Sequence, residues 1–373
     1  MLREQLASPS SNVVVKLGSQ VLVSPAGGLD GAFLADMARQ VAGAVQAGWR
    51  VTLVSSGAIA AGSAALGLSQ RPRDLAKLQA VAAVGQRLLM DAWGEAFSAV
   101  GLAVAQVLLT REDMDKRVRF LNTRNTIHAA QDLKAVPIVN ENDTVSTDEI
   151  VRISFGDNDL LAATVAQALR ADVLVLLSVV PGLQGPDGKV VPEVARLSDV
   201  ADLVRADRSA AGRGGMGSKL EAAKLVTAAG ERLVIAAGRE PEVLSRILSG
   251  ERVGTTFLPA AGGRRAGRSR WISAARTAGA ILVDAGAAKA LAGGRASLLP
   301  AGVVGVEGSF GRGDPVLVRT EGGEAVARGL TNYAAEAVRQ VAGKKTAEVR
   351  KLLGEGAYDE IIHRDNLLLV KGL

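Results

Sequence analysis

Two polar segments of the chain combine acidic and amide side chains more densely than an ordinary loop or helix cap requires. The first, NEND at residues 140–143, follows the apolar stretch AVPIV, and the second, GDND at residues 156–159, opens a helical pattern. A helix cap accounts for one or two polar residues of the second segment, but not for all three. The first segment is open to three interpretations: a solvated loop, a metal site, or a receptor for a small polar substrate.

Two lysines lie where a phosphate group could meet them. Lys16 interrupts the apolar strand pattern VVVKLGS, and Lys219 follows the glycine-rich loop GRGGMGS at residues 212–218. Glycines let backbone N–H groups close on phosphate oxygens, and a lysine adds a positive charge. The loop lacks the spacing of a Walker A motif. A structural ion pair at Lys16 and a plain flexible loop before Lys219 are the alternatives.

Together, these residues suit the transfer of a phosphoryl group to a polar acceptor. The lysines would neutralise phosphate charge while the acids and amides hold the acceptor. Ser55, Ser56 and Gly57 precede a helical pattern, where backbone N–H groups could bind an anion, although Ser-Gly caps are common without a function. The chain has no cysteine, and His128 and His363 are its only histidines, neither within a catalytic motif. The sequence therefore gives no support for covalent catalysis by His or Cys.

The elements that would position these residues alternate along the first two thirds of the chain. Helical spacing predicts helices at residues 34–46, 75–97, 122–133 and 160–169. Six apolar runs predict strands, namely NVVVKLGS, WRVTLVSSG, LAVAQVLL, AVPIVNE, ADVLVLLSVV and ERLVIAAG. Strands that are apolar on both faces and alternate with helices predict an α/β fold, with an open, mostly parallel sheet sandwiched by helices. Ligands of such sheets gather at the carboxyl ends of the strands.

A change of composition predicts a second domain. The segment AAGGRRAGRSR has no apolar periodicity, and short glycine-punctuated strands with one helix follow it. We therefore expect a catalytic domain at residues 1–260, a Gly/Arg-rich linker at 261–276, and a small β-rich domain at 277–373. No internal repeat is evident.

Composition and charge narrow the class of protein. Of the 373 residues, 48% are hydrophobic and 22% are charged, which is typical of a globular protein. The lack of cysteine, of an apolar signal-peptide run and of a membrane-length apolar stretch predicts a cytoplasmic protein without a membrane partner. Residues 1–259 carry 27 basic and 27 acidic side chains, whereas residues 260–373 carry 17 and 11 and so supply the whole net charge of +6. Much of this excess lies in the arginine-rich linker, which is either solvated or in contact with an acidic partner.

Eight segments resemble, in this order, the amino acid kinase family and especially its glutamate 5-kinase branch: VVKLGSQVL, VSSGAIAAG, AVAAVGQRLLM, QVLLTREDM, FLNTRNTI, VPIVNENDTV, FGDNDLLAA and GRGGMGSKLEAA. The C-terminal segments GAILVDAGAAKAL and SLLPAGVVGVEGSFGRGD resemble the PUA domain that bacterial members append. The pair of NEND and GDND is specific to this branch. The lysine and glycine motifs alone would also fit carbamate, aspartate, acetylglutamate or uridylate kinases.

The resemblance implies ATP-dependent phosphorylation of the γ-carboxylate of L-glutamate to L-glutamyl 5-phosphate, the first step of proline biosynthesis. It implies Mg²⁺ as a cofactor without assigning a metal ligand. It also implies inhibition by proline, a homo-oligomer, and hand-over of the product to a glutamyl phosphate reductase. Asp148 and Glu149 would belong to a solvated flap that also senses proline.

The resemblance also implies roles for individual residues. Lys16 and Lys219 would stabilise the transferring phosphoryl group, with Asp159 organising both lysines. The residues that would bind glutamate are Ser56, Asn140, Asp143, Asp157 and Asn158. The residues that would contact the nucleotide are Lys16, Ser178, Val179, Arg213, Gly214, Gly215, Met216, Gly217, Ser218 and Lys219.

Two positions depart from the pattern of the resemblance. Val179 and Val180 follow Ser178, where the family usually has an aspartate that helps to hold the nucleotide, so a hydrogen bond to the nucleotide is in doubt. Gly217 stands where a Ser or Thr is frequent, which should add flexibility to the loop without removing the lysine.

An RNA-binding or RNA-modifying protein is the rival from another class, because PUA-like domains occur in such proteins. The arginine-rich linker favours it mildly. Against it, residues 277–373 carry only a small basic excess and few aromatic residues for stacking on bases. An RNA role would therefore be secondary at most.

Overall fold

A computed structural model of the protein describes residues 11–24, 27–145, 158–200, 215–260, 271–273, 275–294, 296–354 and 358–370. The chain divides into two compact units, Met1–Arg264 and Arg265–Leu373. Each unit has its own sheet and its own hydrophobic core. Among the described helices, none combines the length and the apolar composition that crossing a bilayer requires.

The first unit is built on a mostly parallel sheet, whose strands in the described residues are β1 (Asn12–Leu17), β2 (Arg50–Ser55), β3 (Ala103–Leu109), β4 (Ala135–Glu141), β5 (Val173–Ser178), β6 (Glu193–Val194), β7 (Arg232–Ala237) and β8 (Thr255–Phe257). Their order is β3-β4-β2-β1-β5-β7-β8-β6. The pairing of β7 with β8 is antiparallel, and the other pairings are parallel. The apolar residues of the central strands are buried, as expected for a parallel sheet covered on both faces.

Helices cover both faces of this sheet. The described helices of the first unit are α1 (Ser19–Leu22), α2 (Gly31–Gln46), α3 (Ala58–Ala65), α4 (Leu75–Ser98), α5 (Arg111–Asp115), α6 (Arg117–Asp132), α7 (Asn158–Leu169), α8 (Met216–Ala228) and α9 (Val243–Leu248). On one face, α2, α4 and α9 share a core with side chains of β1. On the other face, α7 packs on β1 and contacts both α6 and α8.

The alternation of side chains along β1 decides which face each residue serves. Val13, Val15 and Leu17 belong to the core shared with α2 and α4. Successive side chains of a strand point to opposite faces, so Lys16 lies on the face that α7 and α8 cover. The apolar neighbours on both sides keep this lysine within a buried strand, where its ammonium group needs an anionic partner.

Two glycines bring α3 and α4 into direct backbone contact. A Cβ atom at Gly85 would lie 1.7 Å from the carbonyl oxygen of Ala58, and one at Gly62 would lie 2.0 Å from that of Val81. No side chain larger than hydrogen fits at such distances, so both positions require glycine. The contact fixes α4 against the first turn of α3. This turn follows shortly after the carboxyl end of β2.

The second unit has a separate five-stranded sheet in the described residues. Its strands are β9 (Gly279–Val283), β10 (Val303–Gly308), β11 (Pro315–Thr320), β12 (Ala325–Leu330) and β13 (Leu367–Leu369), in the order β10-β9-β11-β12-β13. Its helices α10 (Ala285–Ala292), α11 (Ala335–Val341) and α12 (Thr346–Leu353) accompany the sheet. Ile281, Val316, Val338 and Val349 are among the fully buried residues of its core.

The predicted fold class is confirmed, because the sheet is mostly parallel and flanked by helices, and a β-rich unit follows it. The six predicted strands are β1, β2, β3, β4, β5 and β7, and the four predicted helices are parts of α2, α4, α6 and α7. The short strands β6 and β8 were not predicted, since runs of two or three residues have no detectable alternation. The predicted domain boundaries stay a prediction. Within the predicted linker, residues 261–270 lie outside the described residues, and Trp271 and Ile272 are buried.

Replacing Gly85 with alanine is expected to lower the free energy of unfolding by at least about 2 kcal/mol, because the added methyl group would clash with a backbone carbonyl. Gly94→Ala on the same helix is the matched control. No atom of the described residues lies within 4 Å of a Cβ atom there, so the helix propensity of alanine should leave stability unchanged or raise it by up to about 1 kcal/mol. Urea unfolding followed by tryptophan fluorescence measures both variants. Equal stability of the two would contradict the close helix crossing.

Candidate active site

A buried carboxylate joins two lysines at the carboxyl edge of the sheet. Lys16 is the next-to-last residue of β1, Asp159 lies in the first turn of α7, and Lys219 lies in the first turn of α8. The Nζ atom of Lys16 is 2.7 Å from Oδ1 of Asp159, and the Nζ atom of Lys219 is 3.1 Å from Oδ2. Each oxygen of the carboxylate therefore faces a different lysine, and we call these three residues the lysine–aspartate triad.

Burial makes the charge of this triad significant. Asp159 is 0% exposed and each lysine is 3% exposed. Removing three charged groups from water is costly, and only their mutual attraction and their hydrogen bonds offset this cost. The two cations and one anion leave one net positive charge at the strand ends, where little water screens it. Such a group can hold an additional anion, and phosphate is the anion that lysine commonly binds in proteins.

The start of α8 contributes a further polar contact. The hydroxyl of Ser218 lies 3.2 Å from Oδ2 of Asp159 and 3.0 Å from the carbonyl oxygen of Gly215. Among the described residues, none would lie within 4 Å of a Cβ atom at Gly217, so packing against them does not require glycine at this departure from the family pattern.

A second polar network lies directly beside the triad. The Nδ2 group of Asn158, one residue before Asp159, donates to Oδ1 of Asn140 at 2.9 Å and to the hydroxyl of Ser56 at 3.0 Å. It also donates to the carbonyl oxygen of Ser55 at 3.2 Å. Asn140 ends the apolar part of β4 and Ser56 follows β2, so the network joins two neighbouring strand ends to α7. We call Ser56, Asn140 and Asn158 the amide network.

Two residues of α4 complete the surroundings of this network. Oε1 of Gln86 accepts a hydrogen bond of 2.7 Å from Nδ2 of Asn140. The indole Nε1 of Trp93 donates to the hydroxyl of Ser55 at 3.0 Å. No role for either residue follows from the sequence, although Gln86 lies within AVAAVGQRLLM, one of the segments that carry the resemblance.

The predicted nucleotide residues divide between described and undescribed parts of the chain. Ser178 ends β5, its carbonyl oxygen accepts from the backbone N–H of Gly238 at 2.7 Å, and the next residue, Val179, is 55% exposed. Gly215, Met216, Gly217, Ser218 and Lys219 form the start of α8 and the position before it. Arg213 and Gly214 lie outside the described residues, as do Asp157, Asp148 and Glu149.

Asp143 is the remaining predicted substrate residue. It lies in a turn just after β4, where the backbone N–H of Asn142 donates to the carbonyl oxygen of Leu109 at the end of β3. Its side chain is half-buried. The structure brings the turn to the same edge of the sheet as Asn140, and the role of Asp143 stays a prediction.

Within the described part of the chain, no group of three His, Asp or Glu side chains is placed to hold a metal ion. Both oxygens of Asp159 face ammonium groups, so this carboxylate is poorly suited to bind Mg²⁺ directly.

His128 lies on α6, where its Nδ1 is 3.4 Å from Oε1 of Gln131. Burial lowers the pKa of His128, so its imidazole is neutral at pH 7.

Comparison with known proteins shows the family to which the chain belongs. The amino acid kinase family matches residues 12–237, and the PUA domain matches residues 279–353. The glutamate 5-kinase of Geobacter sp. (strain M21) is 43% identical over 377 residues, which cover 99% of this chain and 100% of that protein. The glutamate 5-kinase of Thermus thermophilus is 45% identical over 366 residues, covering 96% of this chain and 97% of that one.

A solved N-acetylglutamate synthase from Neisseria gonorrhoeae, complexed with coenzyme A and N-acetyl-glutamate, matches 70% of this chain with a TM-score of 0.50. The match is 15% identical, spans 62% of the synthase chain, and shows a shared fold alone.

The chain therefore belongs to the amino acid kinase family, and a PUA domain follows its kinase domain. Within that family it belongs with the glutamate 5-kinases, since relatives of that name match it over nearly its whole length.

Replacing Asp159 with asparagine is expected to lower the free energy of unfolding by about 3–5 kcal/mol, because two buried ammonium groups would lose their shared counter-charge. Asp91→Asn is the matched control. It removes an exposed ion pair with Arg87, and should cost less than about 1 kcal/mol. Urea unfolding of both variants provides the comparison. If Asp159→Asn lowered the free energy of unfolding no more than Asp91→Asn, the carboxylate of Asp159 would not be needed to stabilise the two buried lysines.

Proposed function

We propose that this protein catalyses ATP-dependent phosphorylation of the γ-carboxylate of L-glutamate, which gives L-glutamyl 5-phosphate. One observation carries the proposal: the buried lysine–aspartate triad lies one residue away from the amide network, at the carboxyl edge of a parallel sheet. The triad supplies positive charge for a phosphoryl group, and the network supplies hydrogen-bonding groups for a polar acceptor. The family and its glutamate 5-kinase relatives support the same assignment.

The chemistry of the acceptor fits a site without a general base. The side chain of free glutamate has an ordinary pKa of about 4.3 and is ionised at neutral pH, so no proton has to leave it before attack. One γ-carboxylate oxygen forms a bond to the γ-phosphorus of ATP while the bond from that phosphorus to the β–γ bridging oxygen breaks. The products are the acyl phosphate and ADP. Catalysis then depends on alignment and on neutralising charge, because the transferring group carries negative charge throughout.

The lysines would perform the neutralisation. Lys16 and Lys219 approach the same carboxylate from β1 and α8, so Asp159 holds both ammonium groups in place before any substrate binds. Donors that are already oriented need little reorganisation as charge develops, and this is the condition under which electrostatic stabilisation is most effective. Asp159 would accordingly act by positioning the lysines and would not itself touch the phosphoryl group.

The amide network and its neighbours would bind glutamate. Ser56, Asn140 and Asn158 offer hydroxyl and amide groups beside the triad. Asp143, in the turn after β4, and Asp157, outside the described residues, would supply negative charge for the α-ammonium group. Carboxylates are suited to this task because an ammonium group offers only donors.

The nucleotide would lie along the ends of β1 and β5 and the start of α8. Contacts would come from Lys16, Ser178, Val179 and residues 213–219. Because the described residues offer no cluster of three metal-binding side chains, Mg²⁺ would be held mainly by the phosphates of ATP, a common arrangement for this ion. When bound, the ion would neutralise part of the phosphate charge.

Three further properties follow from the resemblance and belong to the same proposal: inhibition by proline, assembly into a homo-oligomer, and hand-over of the product to a glutamyl phosphate reductase. Acyl phosphates are labile, which is a chemical reason for prompt consumption of the product. RNA binding by the PUA domain is not part of the proposal; it is the rival hypothesis and would be secondary at most.

The decisive experiment incubates the protein with ATP, Mg²⁺ and one acceptor at a time, with hydroxylamine present to trap any acyl phosphate as a hydroxamate. The acceptors are L-glutamate, L-aspartate, N-acetylglutamate, carbamate and UMP. Formation of ADP together with a hydroxamate from L-glutamate alone is expected. A faster reaction with another acceptor would overturn the substrate assignment and keep the kinase class.

The two parts of the site should respond differently to substitution. Lys219→Ala should lower kcat by at least about 100-fold and should raise the KM for glutamate far less. The reason is that the contact between this lysine and the phosphoryl group strengthens in the transition state. Asp143→Ala should act mainly through a higher KM for glutamate, because it removes a ground-state contact. Steady-state kinetics with varied glutamate at saturating ATP distinguishes the two patterns. An unchanged kcat for Lys219→Ala would show that the phosphoryl site has been misplaced.

A further inference from the structure

We propose that Gln86 binds the α-carboxylate of the substrate through its side-chain N–H group, and so selects an acceptor that carries an anion at this position. The inference rests on the proposed function and extends it to a residue of α4 to which the resemblance assigned no role. It is carried by the hydrogen-bond pattern around Asn140 and by the glycine contact between α3 and α4.

Hydrogen bonds to backbone groups fix the orientation of each amide in turn. Nitrogen and oxygen of a carboxamide are distinguished only by such a network. Asn158 contacts the carbonyl oxygen of Ser55, which accepts only, so the contacting atom of Asn158 is its nitrogen. Oδ1 of Asn140 accepts this donor at 2.9 Å and also accepts the backbone N–H of Glu141 at 2.9 Å. Asn140 therefore presents its own Nδ2 group to Gln86.

The orientation of Gln86 follows from this. Its Oε1 atom must face Nδ2 of Asn140, at 2.7 Å, which leaves Nε2 as a donor. This nitrogen is buried, and no atom among the described residues accepts a hydrogen bond from it. Leaving a buried amide donor without an acceptor is unfavourable, and folded proteins contain only a few such groups. The donor is thus suited to an acceptor that arrives with a ligand.

The Nε2 group of Gln86 lies close to the residues proposed to bind the substrate. The two polar atoms of a carboxamide are roughly 2.2 Å apart, which places Nε2 no more than about 5 Å from Nδ2 of Asn140. The contact of Gly85 with the carbonyl oxygen of Ala58 holds this part of α4 against the first turn of α3. Ser56 lies two residues before Ala58, so Gln86 is anchored near the same strand end as a proposed substrate residue.

The chemistry of glutamate decides which group Gln86 would meet. The hydrogen bonds run from Asn158, beside the triad, to Asn140 and then to Gln86, so two hydrogen bonds separate Gln86 from the residue beside the phosphoryl site. The γ-carboxylate must face the triad in order to react. At the other end the α-ammonium group offers only donors and cannot accept the N–H of Gln86, whereas the α-carboxylate can.

The test uses Gln86→Glu, which keeps an oxygen for Asn140 and replaces the N–H donor with a carboxylate oxygen. It should raise the KM for L-glutamate by roughly 100-fold or more, because it removes a hydrogen bond to a charged group and adds repulsion between two carboxylates. The KM for ATP should stay within about twofold. Gln46→Glu, at an exposed glutamine at the end of α2, is the matched control and should leave both constants unchanged.

The discriminating substrate is L-isoglutamine, which keeps the α-ammonium group and the γ-carboxylate but has a neutral carboxamide in place of the α-carboxylate. With it, Gln86→Glu should lower kcat/KM by less than about threefold, or raise it, since the carboxamide N–H can donate to the new carboxylate. If the wild-type protein turns L-isoglutamine over too slowly, its inhibition constant in competition with glutamate provides the same comparison.

Two results would overturn the inference. An equal loss for L-glutamate and L-isoglutamine would show that Gln86 acts only by supporting Asn140, and no loss for either would show that it does not contact the substrate. In both cases the wild-type protein would still form the hydroxamate from L-glutamate. Absence of that product in the wild-type protein would instead refute the proposed function.

Discussion

The shared counter-charge of Asp159 is the interaction on which the rest of the kinase unit depends. Lysines from two distant parts of the chain, Lys16 and Lys219, reach the same buried carboxylate. Without it, two cations in a region closed to water would repel each other. The surrounding apolar residues are what make this charge matter, because they exclude the water that would otherwise screen it.

The sheet turns this local interaction into a site. In parallel strands the carboxyl ends lie at one edge, so residues at the ends of β1, β2, β4 and β5 come together although they are far apart in sequence. The first turn of α7 connects the two functions of that edge, since Asn158 belongs to the amide network and Asp159 to the triad. A shift of α7 would therefore disturb the acceptor side and the phosphoryl side together.

The close packing of α3 and α4 also supports the strand ends. Gly62 and Gly85 let the backbones of α3 and α4 touch, and this brings side chains of α4 behind Ser55 and Asn140. The stability of the helix pair and the geometry of the substrate side are thus coupled through the same contact. The polar groups that result are held by a rigid apolar scaffold, as a site that works by preorganised charge requires.

The fold class, the principal strands and helices, and most residues of the candidate site were predictable from the sequence alone. Continuous apolar runs between helical patterns are sufficient for a parallel sheet, and Lys16, Asn140, Asn158, Asp159 and Lys219 stood out because polar residues were unexpected in their settings. Which of them meet depends on the tertiary fold. The resemblance implied that Asp159 organises both lysines, and the structure shows the two contacts. That Asn158 joins Ser56 to Asn140, and that Gln86 has a donor left over, depends on contacts between residues 102, 18 and 54 positions apart. Spacing along the chain carries no information about such contacts, because sheet order and helix crossings set them.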